Sequence, residues 1–397
     1  MDQSIDRWQE SRLPINRVAN VLEGKQSKGQ DGSQLKTNIR NFLGNRLISQ
    51  KSGPFSHEYV DAADVPLLGS QFGFLKNFPK GKVFSIFTTK GGVLKTTLTL
   101  NIARMLAWHG HRVLVIGLDL QGDITRALGA DFLSEENLES NGEEKLNLEE
   151  VMNDLLGQRG LYDFFAKRCG IEKIIYPVIQ NKSKDGADNK GQCLLSGSLS
   201  VIPETAELAA LNDQLFSLGR REYWLRDKVL SQLREQFDTI LLDCGPNWNH
   251  LATNALIACD VLCSPLECKI NNFRNFQVFS QFLDDFQNDM QIELKKIFIP
   301  TLYSPQKKLS MDIKKWYEDN LPDCTSVGMR EANGSEEATA LHLSIIEHQP
   351  RELPAKEMRE VLQQIGQKVV AFQAKLNAQP AAGSHPNVNV NSNAYIS

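Results

Sequence analysis

Phe84-Ser85-Ile86-Phe87-Thr88-Thr89-Lys90-Gly91-Gly92-Val93-Leu94-Lys95-Thr96-Thr97 is the stretch on which the reading of this chain turns. Its first half, begun at Val83, is an apolar strand pattern, and its centre is a Gly-Gly break flanked by lysines. Its end opens a helical run, Thr96–His109, that stops at Gly110, a natural residue for the position after a helix. A strand, a small-residue loop and a helix start make a phosphate-binding loop. Backbone N–H groups wrap the phosphates, and the first helical turn adds its positive dipole end. Lys95 would reach the β- and γ-phosphates and the Thr96 hydroxyl would ligate Mg²⁺, so the expected ligand is Mg-ATP, held along Lys90, Gly91, Gly92, Val93, Leu94, Lys95, Thr96 and Thr97.

Working outward, the middle of the chain alternates apolar strands with helices, the pattern of βαβ units and a parallel sheet. Strands are expected at Val83–Thr88, Val113–Leu118, Ile174–Ile179, Ser200–Pro203, Thr239–Asp243, Val261–Pro265 and Lys296–Leu302. Each is rich in Val, Ile, Leu or Phe, as strands covered on both faces must be. Two of them end in carboxylates. Arg112-Val113-Leu114-Val115-Ile116-Gly117-Leu118-Asp119-Leu120-Gln121-Gly122-Asp123 brings Asp119 to a strand tip. Phe237-Asp238-Thr239-Ile240-Leu241-Leu242-Asp243-Cys244-Gly245-Pro246 reads as a Walker B strand whose Asp243 would hold Mg²⁺ through water. Carboxyl ends of parallel strands face the ligand crevice of an open α/β sheet.

Lys90-Gly91-Gly92-Val93-Leu94-Lys95-Thr96-Thr97 resembles the deviant Walker A motif of the ParA/MinD superfamily of P-loop NTPases. The Asp119 segment is similar to that family's Asp-x-Asp-Pro-Gln-Gly, with Gly117 in place of the first Asp and Leu120 in place of Pro. Leu94 stands where the loop usually carries glycine, at a cost of roughly 1–2 kcal/mol if positive φ is required there. Asn254 to Asp260, Leu199 to Ala209 and the turn Thr301–Ser310 also resemble family segments, so the likeness spans about residues 81 to 376. The resemblance implies that Lys90 reaches a partner's nucleotide across an ATP-sandwich homodimer. It implies that Asp119 orients the attacking water beside the metal, and that Pro300 and Thr301 lie near the adenine. Thr96, Asp119 and Asp243 form the implied Mg²⁺ set, and Lys90, Lys95 and Asp119 the implied catalytic set. The implied function is DNA partition: the ATP-bound dimer holds DNA, and a ParB-like partner stimulates slow hydrolysis. Alternatives are a MinD-like or other cargo-positioning ATPase, or a DNA-binding regulator switched by ATP.

The expected fold is α/β, a doubly wound, mostly parallel sheet flanked by helices. A small, mainly helical region precedes it (1–80), the ATPase domain covers 81–376, and a disordered tail covers 377–397. The final amphipathic helix runs from about Pro354 to Leu376, and Glu135 to Glu150 reads as a solvated insertion. A net charge of −4 leaves no global field to attract nucleic acid, so DNA contact needs a local basic patch. Arg351, Lys356, Arg359, Lys368 and Lys375 are the candidates. Residues 1 to 53 hold nine Lys/Arg against five Asp/Glu, with short helices expected at Pro14–Gly24 and Leu35–Ile48. These read as a helix-turn-helix, or as a dimerisation arm or packing appendage. Cys259, Cys263 and Cys268 read as buried thiols, or else as a metal or disulfide group, since their spacing is not CxxC. No secretory signal or 18-residue apolar run is visible, and the tail has no cationic apolar stripe. A cytoplasmic, nucleoid-associated protein without membrane contact is expected.

Overall fold

A computed structural model describes residues 12–24, 33–52, 55–130, 157–179 and 197–378. The expected insertion Glu135 to Glu150 and nearly all of the expected tail lie outside the described residues. The amino-terminal region contains β1 (Arg12–Pro14), β2 (Ile48–Ser52) and β3 (Phe55–Asp61), which form an antiparallel sheet in the order β1-β3-β2. Helices Ile15–Leu22, Ser33–Leu43 and Val65–Phe72 accompany it. Helices hold more of the described residues here than strands, as expected, but the three-stranded sheet was not expected. The helix expected over Leu35–Ile48 stops at Leu43, and Ile48 already pairs with Tyr59 in the hairpin.

The main sheet has eight strands: β4 (Lys82–Ile86), β5 (Val113–Leu118), β6 (Tyr176–Ile179), β7 (Leu199–Ile202), β8 (Thr239–Cys244), β9 (Val261–Glu267), β10 (Lys296–Tyr303) and β11 (Met329–Arg330). Their spatial order is β11-β10-β9-β4-β8-β5-β7-β6. All neighbours run parallel except β6, which pairs antiparallel with β7 at the edge. Residues 171–174, whose end was expected to begin β6, instead form a 3₁₀ turn. β4 lies between β8 and β9, so the sequence order reverses on either side of it. That switch point is where an open α/β sheet opens its ligand crevice.

The amino-terminal region shares the core of the main domain. Ile15, Val18, Val21 and Leu22 belong to the same buried apolar cluster as Leu98, Ile102 and Met105 of the helix Lys95–Trp108 and Val361, Leu362 and Ile365 of the last helix, Leu353–Ala378. Arg359, read from sequence as a DNA-contacting cation, is buried in this junction. Its guanidinium donates to the Pro350 and Asn20 carbonyls at 2.7 and 2.6 Å, because the last helix turns that face inward.

Two imidazoles sit in the same region. His109 packs edge-on against Phe74, and burial holds it down at about 3. His111 lies against Phe78 with Nδ1 3.1 Å from Thr239 Oγ1, and burial holds it down at about 4. A folded pKa below the ordinary value of 6.5 means stability that is full above pH 6.5 and is lost as pH falls towards 4. The advantage of wild type over His111→Asn is therefore expected to shrink by roughly 2–3 kcal/mol between pH 7.5 and 4.5. Chemical denaturation at both pH values measures it, and a pH-independent difference would remove the assignment.

Candidate phosphate-loop site

β4 ends at Ile86, and residues 87–94 cross from the sheet to the helix Lys95–Trp108. Leu94 closes the loop with φ +70° and ψ +30°, the left-handed region that the glycine of a standard loop adopts freely. Its side chain packs onto the large apolar cluster, and that burial offsets the backbone cost. Gly92 also has positive φ, at +69°. Val93 is buried, whereas Lys90, Gly91 and Gly92 are exposed, so the loop presents backbone and the Lys90 side chain outward.

Lys95 is buried, and its Nζ donates to the Lys90 carbonyl at 2.9 Å, folding the lysine back over the loop. Burial lowers its pKa, opposed chiefly by the charges of Asp243 and Asp119. Thr96 Oγ1 donates to Asp243 Oδ2 at 3.0 Å and Thr99 Oγ1 to Oδ1 at 2.5 Å. Asp243 is fully buried on β8, directly beside Ile86 in the β4–β8 register. Burial pushes its carboxyl up to about 7, against the pull of both threonines and Lys95. A buried carboxyl whose charge is this costly is matched to an approaching cation.

Asp119 follows β5 and accepts from the Gln121 N–H at 3.1 Å. A Cβ built on Gly245 would lie 2.9 Å from Asp119 Oδ1, so glycine there lets the tips of β5 and β8 meet. Lys95, Thr96, Asp119 and Asp243 are thereby brought together. Thr97 and Gly92 to Thr96 line a cleft of about 790 Å³, whose other wall holds Arg126, Leu302, Arg330, Asn333 and Thr339.

Pro300 and Thr301 do not line that cleft. They lie inside β10, paired with Leu266 and Glu267, and Thr301 is fully buried. The strand runs on to Tyr303, so Leu302 rather than its two predecessors reaches the cleft. Sequence reasoning also missed Arg126 and Arg330. Arg126 sits only seven residues after Asp119, a spacing that signals a cleft residue once the strand tip is known; Arg330 ends a two-residue strand with no such cue.

A family model described as an AAA domain matches residues 81–296, more than half of the chain. The chain belongs to that AAA domain family. Within it, the chain is similar to ParA-type proteins. It is 29% identical over 189 residues to the sporulation initiation inhibitor protein Soj of Bacillus subtilis, covering 48% of this chain and 59% of Soj. It is 27% identical over 238 residues to the chromosome partitioning protein ParA of Caulobacter vibrioides, covering 59% of this chain and 74% of that one. A solved plasmid partition protein of Borrelia burgdorferi B31, bound to AMPPNP, shares the fold with TM-score 0.52 and 18% identity, over 73% of this chain and 99% of that one.

Proposed function

We propose that this chain is a Mg-ATP-dependent DNA partition ATPase. The observation that carries the reading is the convergence of Lys95, Thr96 and Asp243 at the mouth of a glycine loop on the sheet's switch point. Lys95 would exchange the Lys90 carbonyl for phosphate oxygens. Thr96 Oγ1, and Asp243 through water, would hold Mg²⁺, which supplies neutralisation of phosphate charge. Asp119, already anchored through Oδ1, would orient the attacking water. Positioning and electrostatics carry this reaction, with no covalent step by the protein.

Lys90 is exposed at the loop's outer edge and would reach the nucleotide of a second copy, making an ATP-sandwich homodimer. Of the basic residues on or before the last helix, Arg351, Lys356 and Lys375 are exposed and Lys368 is half-buried, so these would contact DNA without Arg359. A ParB-like partner would stimulate hydrolysis and release the DNA. Among the described residues no helix is long and apolar enough to cross a membrane. A cytoplasmic, nucleoid-associated location goes with this reading.

The test is DNA retention by the full chain with and without Mg-ATP, in rising salt. Retention is expected only with Mg-ATP and should fall steeply with salt, as counterion release requires. Asp119→Ala should still retain DNA while its turnover drops about a hundredfold. Retention indifferent to nucleotide would overturn the partition reading, and equal turnover by both proteins would remove Asp119 from it.

A further inference from the structure

Gly117 leaves β5 without a side chain two residues before Asp119, and the structure shows what occupies the space. A Cβ on Gly117 would lie 2.2 Å from Cδ and 2.5 Å from Oε1 of Glu204. Glu204 follows β7, the strand next to β5, two residues past its end. Gly117 is the register partner of Asp243, and such partners face the same side of a parallel sheet. The Glu204 carboxyl therefore fills the volume that a carboxylate at residue 117 would take, on the Asp243 side.

A reciprocal clasp holds it there. The Glu204 N–H donates to Thr125 Oγ1 at 3.1 Å, and the Thr125 N–H donates to Glu204 Oε2 at 3.1 Å. The Thr125 hydroxyl donates to the same Oε2. Thr125 belongs to the helix Asp123–Ala127 that begins directly after the Asp119 turn. Oε1 is buried and has no hydrogen-bond partner among the described residues. A glutamate kept for space alone would not be placed with one oxygen buried and unpaired, since that is costly.

We infer that Glu204 is a positioning residue for ATP hydrolysis: from just past the end of β7 it supplies the carboxyl that Gly117 omits, and it clamps the short helix that directly follows the Asp119 turn. The inference rests on the ATPase reading. Both residues of the exchange are needed together, because an aspartate at 117 collides with Glu204 and a small residue at 204 releases Thr125.

The experiment compares full-length wild type, Glu204→Gln, Glu204→Ala, Gly117→Asp and Gly117→Asp/Glu204→Ala. Fluorescent-nucleotide titration with Mg²⁺, thermal melting without nucleotide, and steady-state turnover are measured for each. Glu204→Gln keeps both Thr125 bonds through its amide oxygen but not the carboxyl, so it should melt like wild type and turn over at a rate between wild type and Glu204→Ala. Glu204→Ala should lose about tenfold or more in kcat while nucleotide affinity stays within about threefold, the split expected of a positioning group. Gly117→Asp alone should lower melting temperature and turnover through overpacking. The double variant should recover at least half of the turnover lost by Glu204→Ala. A double variant no better than Glu204→Ala, or Glu204→Ala turning over like wild type, overturns the inference. If Glu204→Ala does not fold, the double variant decides, and turnover below about a tenth of wild type counts against it. Wild type that neither binds nor hydrolyses Mg-ATP would instead sink the parent reading.

Discussion

Lys95→Ala is expected to weaken Mg-ATP binding by about a hundredfold to a thousandfold while leaving the nucleotide-free fold in place. The lysine is the cation already aimed into the loop, resting on the Lys90 carbonyl and close enough to Asp243 and Asp119 for their charges to raise its pKa against burial. Charge-assisted bonds of an ammonium to phosphate oxygens contribute about 1.5–3 kcal/mol each, and two of them at about 1.5–2 kcal/mol give the stated loss. The fold should tolerate the change because Asp243, left without its neighbour, can take a proton. Burial has already brought it to about 7. Lys90→Ala is the contrast. Its side chain is exposed and outside this cluster, so affinity should hold while ATP-driven dimerisation fails. Isothermal titration and light scattering on the three proteins separate these outcomes. Equal affinity of Lys95→Ala and wild type would refute the loop assignment, and equal dimerisation by Lys90→Ala would refute its role across the seam.

Glu347→Ala is expected to be the most damaging single change to stability, at about 3–5 kcal/mol. Its carboxylate accepts from Arg104 Nε and Nη2 at 2.7 and 2.9 Å and from Trp108 Nε1 at 2.8 Å. It also accepts from the Ser344 N–H and hydroxyl at 2.9 and 2.7 Å, closing the cap of the short helix Ile345–His348. Arg104 and Glu347 are 1% and 2% exposed, so removing the acid takes a charge partner from a guanidinium held away from water. Burial alone would raise the Glu347 pKa, and Arg104 with the Ser344 bonds brings it below the ordinary value. Arg104→Met/Glu347→Leu should recover most of the loss, since a filled apolar pair is often as stable as a buried ionic one. Urea denaturation of the single and double variants checks this. A single variant within about 1 kcal/mol of wild type would show that the network is not the brace it looks to be.

The parts of the site that sequence exposes are those encoded locally. A β-rich run, two glycines and a helix opening lie within fourteen residues, so β4 and the helix after it were legible together. β5 and β8 were legible because an apolar run leads into each terminal acid, Val113–Leu118 before Asp119 and Ile240–Leu242 before Asp243. Glu204 was not, since its reason for being there is a missing side chain 87 positions earlier, contacted only across two strand tips. Arg104 fell in the middle of a helix whose partner acid lies 243 positions on. Arg359 looked like any surface cation because its helix is amphipathic and the covering segment around Asn20 is far away in sequence. β2 and β3 escaped notice for a different cause. Ser49-Gln50-Lys51-Ser52 and Ser56-His57-Glu58 are polar, and of the described hairpin positions only Val60 is buried, so no apolar alternation announces the strands.

The clasp between Asn20 and Arg359, with Ile15, Val18 and Leu22 sunk among residues of the last helix's cluster, bears on how the gene can be dissected. A fragment beginning at residue 81 would present an oily flank to solvent and should precipitate when expressed alone. Residues 15–22 share one core with the helix after the phosphate loop, so a displacement of that helix is felt directly by the leading segment.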